Sequence, residues 1–428
     1  MNRNKWYTRT LAAVLAVSLC FMAILGHQWW NKRVDDKALQ MQTVKAADVS
    51  DEEMRAVWIS YLEFQSAGMS KMNAAKFKKY IDNMFTKCVK LKMNTVIVQV
   101  RPFGDALYSS KYFPWSSIAS GKQGRNPGYD PLAYMVQAAH QRGLQIHAWL
   151  NPYRVTLSNM KVSSLAKDNV ARKWLHSSQK DKKRNVLKFD GMYYYNPAKE
   201  DVQTLIVNGI KEIVENYDVD GIHFDDYFYP TLGSQYKTNF DGKEYQAYKK
   251  KCKRQGIKAK SIVSWRRENV NTLLQKTYQE IKNIKENVVF GVSPAGNIDN
   301  LYAKDRYYCD VKKWMNSTGY IDYICPQIYW SFTHKVCPYK KTTKRWASLK
   351  QNENVDLYIG LAAYRAGSTR REAAQMADYG WSAHRNQLAQ QVRYARQYKK
   401  INGFILFRYD NLVSKKAKTE ILNLKKVL

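Results

Sequence analysis

From position 54 onward the chain repeats one pattern eight times. A short apolar run gives way to polar or aromatic residues, and then to a segment compatible with a helix. The runs are 55–60, 95–100, 144–149, 219–224, 288–292, 323–328, 357–361 and 403–407. Segments 73–90, 131–142, 200–215 and 386–399 between them predict helices, and 414–428 predicts a last one. Pro131 suits a first helical turn and Gly143 a stop after the last. Eight strand–helix units predict an α/β fold, a (β/α)8 TIM barrel. Near-continuous apolar runs such as Thr95-Val-Ile-Val-Gln-Val100 suit a parallel sheet covered on both faces. A doubly wound open sheet is the alternative, but no glycine-rich dinucleotide loop follows the first run. The long intervals 151–218 and 227–287 predict enlarged loops after strands 3 and 4, which would wall a substrate groove.

Ahead of the barrel, Arg3, Lys5 and Arg9 precede an apolar run from Leu11 to Leu25. Fifteen residues is short for a comfortable membrane span, which needs roughly 20. Residues 1–26 are therefore expected to be a signal peptide or an N-terminal membrane anchor, 27–51 a polar linker, and 52–428 the barrel. Leu19 before Cys20 is bulkier than a lipidation signal wants. The body is expected outside the cytoplasm, at the cell surface or secreted.

The 70 Lys and Arg against 36 Asp and Glu give a formal charge of +34. A field of that sign attracts anionic wall polymers or an anionic membrane surface. Lys249-Lys250-Lys251-Cys252-Lys253-Arg254 is its densest cluster, a solvated helix face or a binding patch. No zinc-finger, helix-turn-helix or RNA-binding signature accompanies it, so no specific nucleic-acid partner is expected. The six cysteines contain no CxxC pair and the seven histidines no HExxH. Neither a disulfide framework, a metal centre nor a cofactor is expected, although one bridge such as Cys325 with Cys337 stays open. A monomer is expected.

In such a barrel the C-terminal strand ends share one rim, so residues distant in sequence converge there. Asp225, Asp226 and Tyr227 close the fourth run, with His223 just inside. Adjacent strand residues face opposite ways, so one carboxyl should face the mouth and the other turn to the rim. Glu63 follows the first run; Arg101, Asp105 and Tyr108 the second; His147, Trp149, Asn151 and Arg154 the third. Gln327, Tyr329 and Trp330 stand at the sixth, and Arg408 and Asp410 at the eighth. Singly, each has a structural reading: His147 packed in the core, Arg101 or Arg154 balancing Asp105 or Asp225. Together, carboxyls, amides, arginines and aromatics make a polar-polymer site. Glycoside hydrolysis needs a protonated carboxyl for the leaving oxygen. It also needs a carboxylate, or a substrate N-acetyl group, to attack or activate water. Asp226 and Asp225 supply one member, and Glu63, Asp105 or Asp410 are candidates for another. Arg101, His147, Trp149, Asn151, Arg154, His223, Tyr227, Gln327, Tyr329, Trp330 and Arg408 are candidate substrate contacts.

Several separated motifs carry a family likeness: Arg55-Ala-Val-Trp-Ile-Ser60, Val100-Arg-Pro-Phe-Gly-Asp-Ala-Leu-Tyr108, Gly128-Tyr-Asp-Pro131, His147-Ala-Trp-Leu-Asn-Pro152 and Asp220-Gly-Ile-His-Phe-Asp-Asp-Tyr227. With Ser293-Pro-Ala-Gly296 and Gln327-Ile-Tyr-Trp330, the chain resembles the glycosyl-hydrolase-like 10 family over about residues 52 to 410. That resemblance implies an exported TIM-barrel hydrolase of bacterial surfaces. It also implies a substrate class, peptidoglycan glycan strands lacking stem peptides. The alternatives are hydrolysis of another polysaccharide and a non-catalytic wall-glycan-binding barrel. Asp220-Gly221 with Asp225 distantly resembles the strand-four motif of chitinase-like enzymes, with Tyr227 where those carry a catalytic Glu. Tyr329 is similar in place to the tyrosine that supports substrate-assisted attack in those enzymes.

Overall fold

The computed structural model describes residues 53–428; the expectations for the N-terminal segment and linker lie outside the described residues. Ten strands occur in this body: β1 (Met54–Ile59), β2 (Thr95–Arg101), β3 (Gln145–Leu150), β4 (Val186–Phe189), β5 (Met192–Tyr195), β6 (Gly221–Phe224), β7 (Val289–Val292), β8 (Tyr323–Ile324), β9 (Asp356–Leu361) and β10 (Gly403–Phe407). Eight of them, all but β4 and β5, pair in parallel and close into a barrel, β10 returning beside β1. Each coincides with one of the eight apolar runs. Among the described residues no helix is long and apolar enough to cross a membrane.

Strand alternation builds two apolar layers. Val57, Ile59, Val96, Val98, Ile146 and Ile222 face outward and pack under the helices. Ala56, Trp58, Ile97, Trp149, Tyr323 and Ile405 fill the barrel interior. Both faces are therefore buried, which is why the runs are almost uninterrupted in their apolarity. Two interior glycines make room for the larger residues. A Cβ on Gly221 would come within 2.7 Å of the His147 ring, and one on Gly291 within 2.0 Å of the Tyr323 ring.

The helices form where caps and stripes dictate. Asn73 caps Ala74–Lys90, which buries Phe77, Ile81, Met84, Phe85 and Cys88 at helical spacing. Asp130 caps Pro131–His140, with Pro131 in the first turn. The helix stops two residues short of the expected end. Gly143 follows with a positive φ of 67°.

The two enlarged loops are present. The interval between β3 and β6 contains an antiparallel hairpin of β4 and β5, absent from the sequence reading. Its turn is Asp190-Gly191, both with positive φ (47° and 76°), the pair a two-residue hairpin turn demands. The interval between β6 and β7 contains Gly242–Arg254 and Ile262–Ile284. The sixth barrel strand is shorter than expected. Pro326 has no N–H for the ladder, and beyond it Gln327 makes only isolated bridges to Ala295 and Gly360. All five described cysteines are free and buried, Cys325 and Cys337 included.

Candidate active site

The strand β6 ends at Phe224, and its last two carboxyls part there. Asp225 continues the inward-facing set of His223. It is buried, its Oδ2 accepting the Trp149 indole N–H at 3.2 Å and its Oδ1 the Tyr227 N–H at 3.1 Å. Asp226 turns along the rim and is the more open of the two. The Gln327 amide bonds it, while also donating to the Ser293 carbonyl at 2.9 Å.

Burial is the main force lifting the Asp225 carboxyl above the ordinary range, and the neighbouring Asp226 charge adds to it. Burial also lifts Asp226, against its backbone, the Gln327 amide and Arg154. Two adjacent carboxyls in a poorly solvated mouth resist double ionisation, so the pair holds a proton that isolated aspartates would release. That is the condition for general acid chemistry near neutral pH.

Beneath the carboxyls lies a neutral hydrogen-bonded floor. The Trp58 indole donates to His223 Nε2 at 3.1 Å, so the His223 proton sits on Nδ1. Nδ1 lies 2.9 Å from the Tyr323 hydroxyl, which lies 2.9 Å from His147 Nδ1. One direction satisfies the chain: His223 donates to Tyr323, and Tyr323 donates to His147. Burial lowers the His147 pKa to about 4 and holds His223 well below its ordinary value. Both histidines are thus uncharged, buried members of a hydrogen-bonded floor under the mouth.

The wall comes from the third loop. The hairpin joins segment 153–156 through Tyr195 N–H to Tyr153 O (2.8 Å) and Val155 N–H to Tyr193 O (3.0 Å). Arg154, held within that pairing, lies 4.5 Å over the Tyr227 ring and 5.4 Å over Phe103. Tyr227 is 49% exposed, an open aromatic face beside the carboxyls. Across the mouth, Tyr329 packs against Tyr364 and Phe407 (5.6 and 5.8 Å). Burial keeps its phenol protonated, and the Asp226 charge reinforces this. Trp330 stands beside Tyr329, partly buried, its ring 5.7 Å from His334.

Several expected residues are elsewhere. A bulge between Gln99 and Arg101 shifts the register, pairing Arg101 with the outward-facing Leu150. Arg101 therefore points out of the barrel, fully buried and 4.5 Å over Phe113. Asp105 is buried under the same loop and accepts from Gln123 at 2.8 Å. Asn151 is also buried; its Oδ1 accepts from Gln99 at 2.9 Å, and Gln99 in turn accepts the Tyr61 N–H.

Glu63 is 0% exposed and committed to structure. It is the third residue of the Tyr61–Ser66 helix, and with Ser60 it forms a reciprocal capping box. Its Oε2 takes the Ser60 N–H (3.0 Å), the Ser60 hydroxyl (2.6 Å) and Arg408 (2.6 Å), and its Oε1 takes the Asp410 N–H (3.2 Å). Arg408 is accordingly a rim residue bound to Glu63, within 3.8 Å of Asp410. Asp220 lies at the opposite end of β6, where it accepts the Ile146 N–H at 2.8 Å and meets His140 at 2.9 Å.

The sequence reading missed Tyr61 and Phe103, which meet edge-on at 5.2 Å beside Arg154. Both sit at strand ends, so the rim rule could have included them. It also missed Tyr307, whose phenol is raised by burial and the Asp226 charge. No periodic signal marks that loop position.

The family description "Glycosyl hydrolase-like 10" matches residues 53–378. The chain belongs to that family. Glycosyl hydrolase YngK of Bacillus subtilis (strain 168) is 35% identical over 385 residues, 85% of this chain and 69% of that protein. Glycosyl hydrolase DigH of Escherichia coli (strain K12) is 37% identical over 338 residues, 76% of this chain and 73% of that one. Among solved structures, the catalytic domain of β-amylase from Paenibacillus polymyxa superposes with a TM-score of 0.55 at 13% identity, covering 89% of this chain and 99% of its own. The endo-1,4-β-mannanase of Rhizomucor miehei gives 0.52 at 11% identity, covering 89% and 96%. Those likenesses bear on the barrel alone. This member of the glycosyl hydrolase-like 10 family is a glycoside hydrolase.

Proposed function

We propose that the protein cleaves bacterial cell-wall glycan, namely peptidoglycan strands that lack stem peptides, outside the cytoplasm. The observation that carries the chemistry is the Asp225–Asp226 pair at the mouth, lifted in pKa by burial and flanked by Arg154, Gln327, Tyr227 and Tyr329. The pair shares one proton, which the deeper burial of Asp225 favours there at rest; in the substrate complex it stands on Asp226, the more open carboxyl, which delivers it to the leaving oxygen. Asp225, held by Trp149 and the Tyr227 N–H, keeps the compensating charge and orients the substrate. Glu63 and Asp105 are engaged elsewhere, which favours attack by an acetamido group of the substrate itself over attack by either of them. The resemblance supports the substrate, and the basic N-terminal region followed by an apolar run supports export.

The test is hydrolysis of N-acetylated and de-N-acetylated stem-free strands, with the anomeric configuration of the first product followed by NMR. The reading expects cleavage of the acetylated strand only, with retention. Inversion, or equal cleavage of both strands, contradicts the acetamide route.

A further inference from the structure

The insertion that rises from the rim beside Asp226 carries a helix with a one-signed outer face. On its inner side, Gly242–Arg254 buries Cys252 and sets Tyr245 and Tyr248 against Trp265, with ring centroids 5.4 and 5.9 Å away. The Tyr245 hydroxyl donates to the Lys260 carbonyl at 2.9 Å, and the Lys260 N–H donates to the Tyr248 hydroxyl at 3.1 Å. Helix and returning turn are thereby stapled. On the outer side Lys249, Lys250, Lys251, Lys253, Arg254 and Lys258 are all exposed.

Among the described residues none of these six forms an ion pair; Lys249 Nζ lies instead 5.5 Å over the Tyr245 ring. The carboxylates at the start of this helix and on the next one, Ile262–Ile284, are already taken. Asp241 is bound by buried Arg266 at 2.6 Å, Glu244 by Arg184 at 2.7 Å, and Glu268 by Lys260 at 3.4 Å. At 1.5 Å of rise per residue, the charges from Lys249 to Arg254 fall within about 8 Å along the axis. Such crowding is self-repulsive in the free protein. A polyanion relieves it and releases its own counterions on binding.

We propose that this face is a docking surface for a linear polyanion with a phosphodiester in each repeat and no base, carried on the insertion that follows the Asp225-Asp226 pair in the chain. A single-stranded nucleic acid would be gripped by aromatic faces open to its bases, whereas Tyr245, Tyr248 and Trp265 are turned to one another. A lipid surface would take apolar anchors, and across 242–260 Ile257 is the one exposed large apolar side chain among the described residues.

The full-length protein is titrated with end-labelled poly(glycerol phosphate) at about 0.1 M salt, where surface attraction acts over about 10 Å. Two charge-matched variants are compared with it. One carries K249E, K250E, K253E and R254E. The control carries K76E, K79E, K87E and K90E on the Ala74–Lys90 helix, all exposed. Tenfold or greater weakening in the first, with under threefold in the control and unchanged circular dichroism in both, is the expected result. Lysine-to-glutamine changes at the same sites, and Arg254→Gln, serve if charge reversal disturbs folding. Equal weakening in both variants would reduce the surface to diffuse net charge and overturn the proposal. So would no binding by the parent, or tighter binding of single-stranded DNA or anionic vesicles than of the polymer. None of these readouts depends on glycan cleavage, so the docking surface and the hydrolase reading stand or fall separately.

Discussion

At the residue scale, Asp225 and Asp226 separate from the other carboxyls by what their oxygens are doing. Asp226→Asn should cut kcat roughly 10²–10⁴-fold, the range of a lost general acid, with little change in KM. Glu63→Gln should behave in the opposite way. It removes the charge that Arg408 pairs with from a fully buried site, at a cost of roughly 3 kcal/mol of stability. A urea midpoint alongside kcat per folded molecule distinguishes the two. The raised carboxyls also set the pH profile: both limbs of kcat/KM should lie above the range of free aspartates, and Asp225→Asn should remove one. The Asp225-Asp226 doublet was legible because it ends a β-branched and aromatic run. Facing was not legible wherever register breaks, as at Arg101, where one bulge reverses the strand's alternation. Glu63 was legible in principle, since Ser60 followed three places on by Glu63 is a helix-start signature.

At the element scale, the barrel interior is as constrained as the mouth above it. Gly291→Ala would drive a methyl into the Tyr323 ring, and Gly221→Ala one into His147. Each should cost about 1–3 kcal/mol through overpacking, measured by denaturant unfolding. Tyr323→Phe removes the hydroxyl joining His223 to His147 and leaves buried partners unsatisfied, at a cost of about 1–3 kcal/mol. The eight barrel strands were legible because burial on both faces makes their sequences continuous in apolarity. The β4–β5 hairpin was missed because it is short and half-polar, although Asp190-Gly191 marks its turn. That hairpin is what presents Arg154, so the wall of the site was the part least readable from periodicity.

At the scale of the whole molecule, pH acts on stability from two sides. His147 is a base whose folded pKa, about 4, lies below its ordinary 6.5. Its contribution is present above pH 6.5 and lost as pH falls towards 4, by about 3 kcal/mol. Asp225 and Asp226 are acids with raised folded values, so their contribution is present at low pH and lost as pH rises through those values. Thermal midpoints should therefore fall on both sides of a mildly acidic to neutral maximum. Replacing both aspartates by asparagine should flatten the alkaline side. The barrel and the reaction class follow from repeated units and separated motifs spread over most of the chain. The substrate does not, because it depends on which loop side chains face the groove. The most direct test of the central claim is mass analysis of products after incubation with stem-free and peptide-bearing peptidoglycan, for the parent and for D225N and D226N. The account predicts water-added fragments from stem-free strands with the parent, and their formation slowed roughly 10²-fold or more in either variant. Fragments formed at the parent's rate by either variant, or no cleavage of the stem-free strands by the parent, would contradict it.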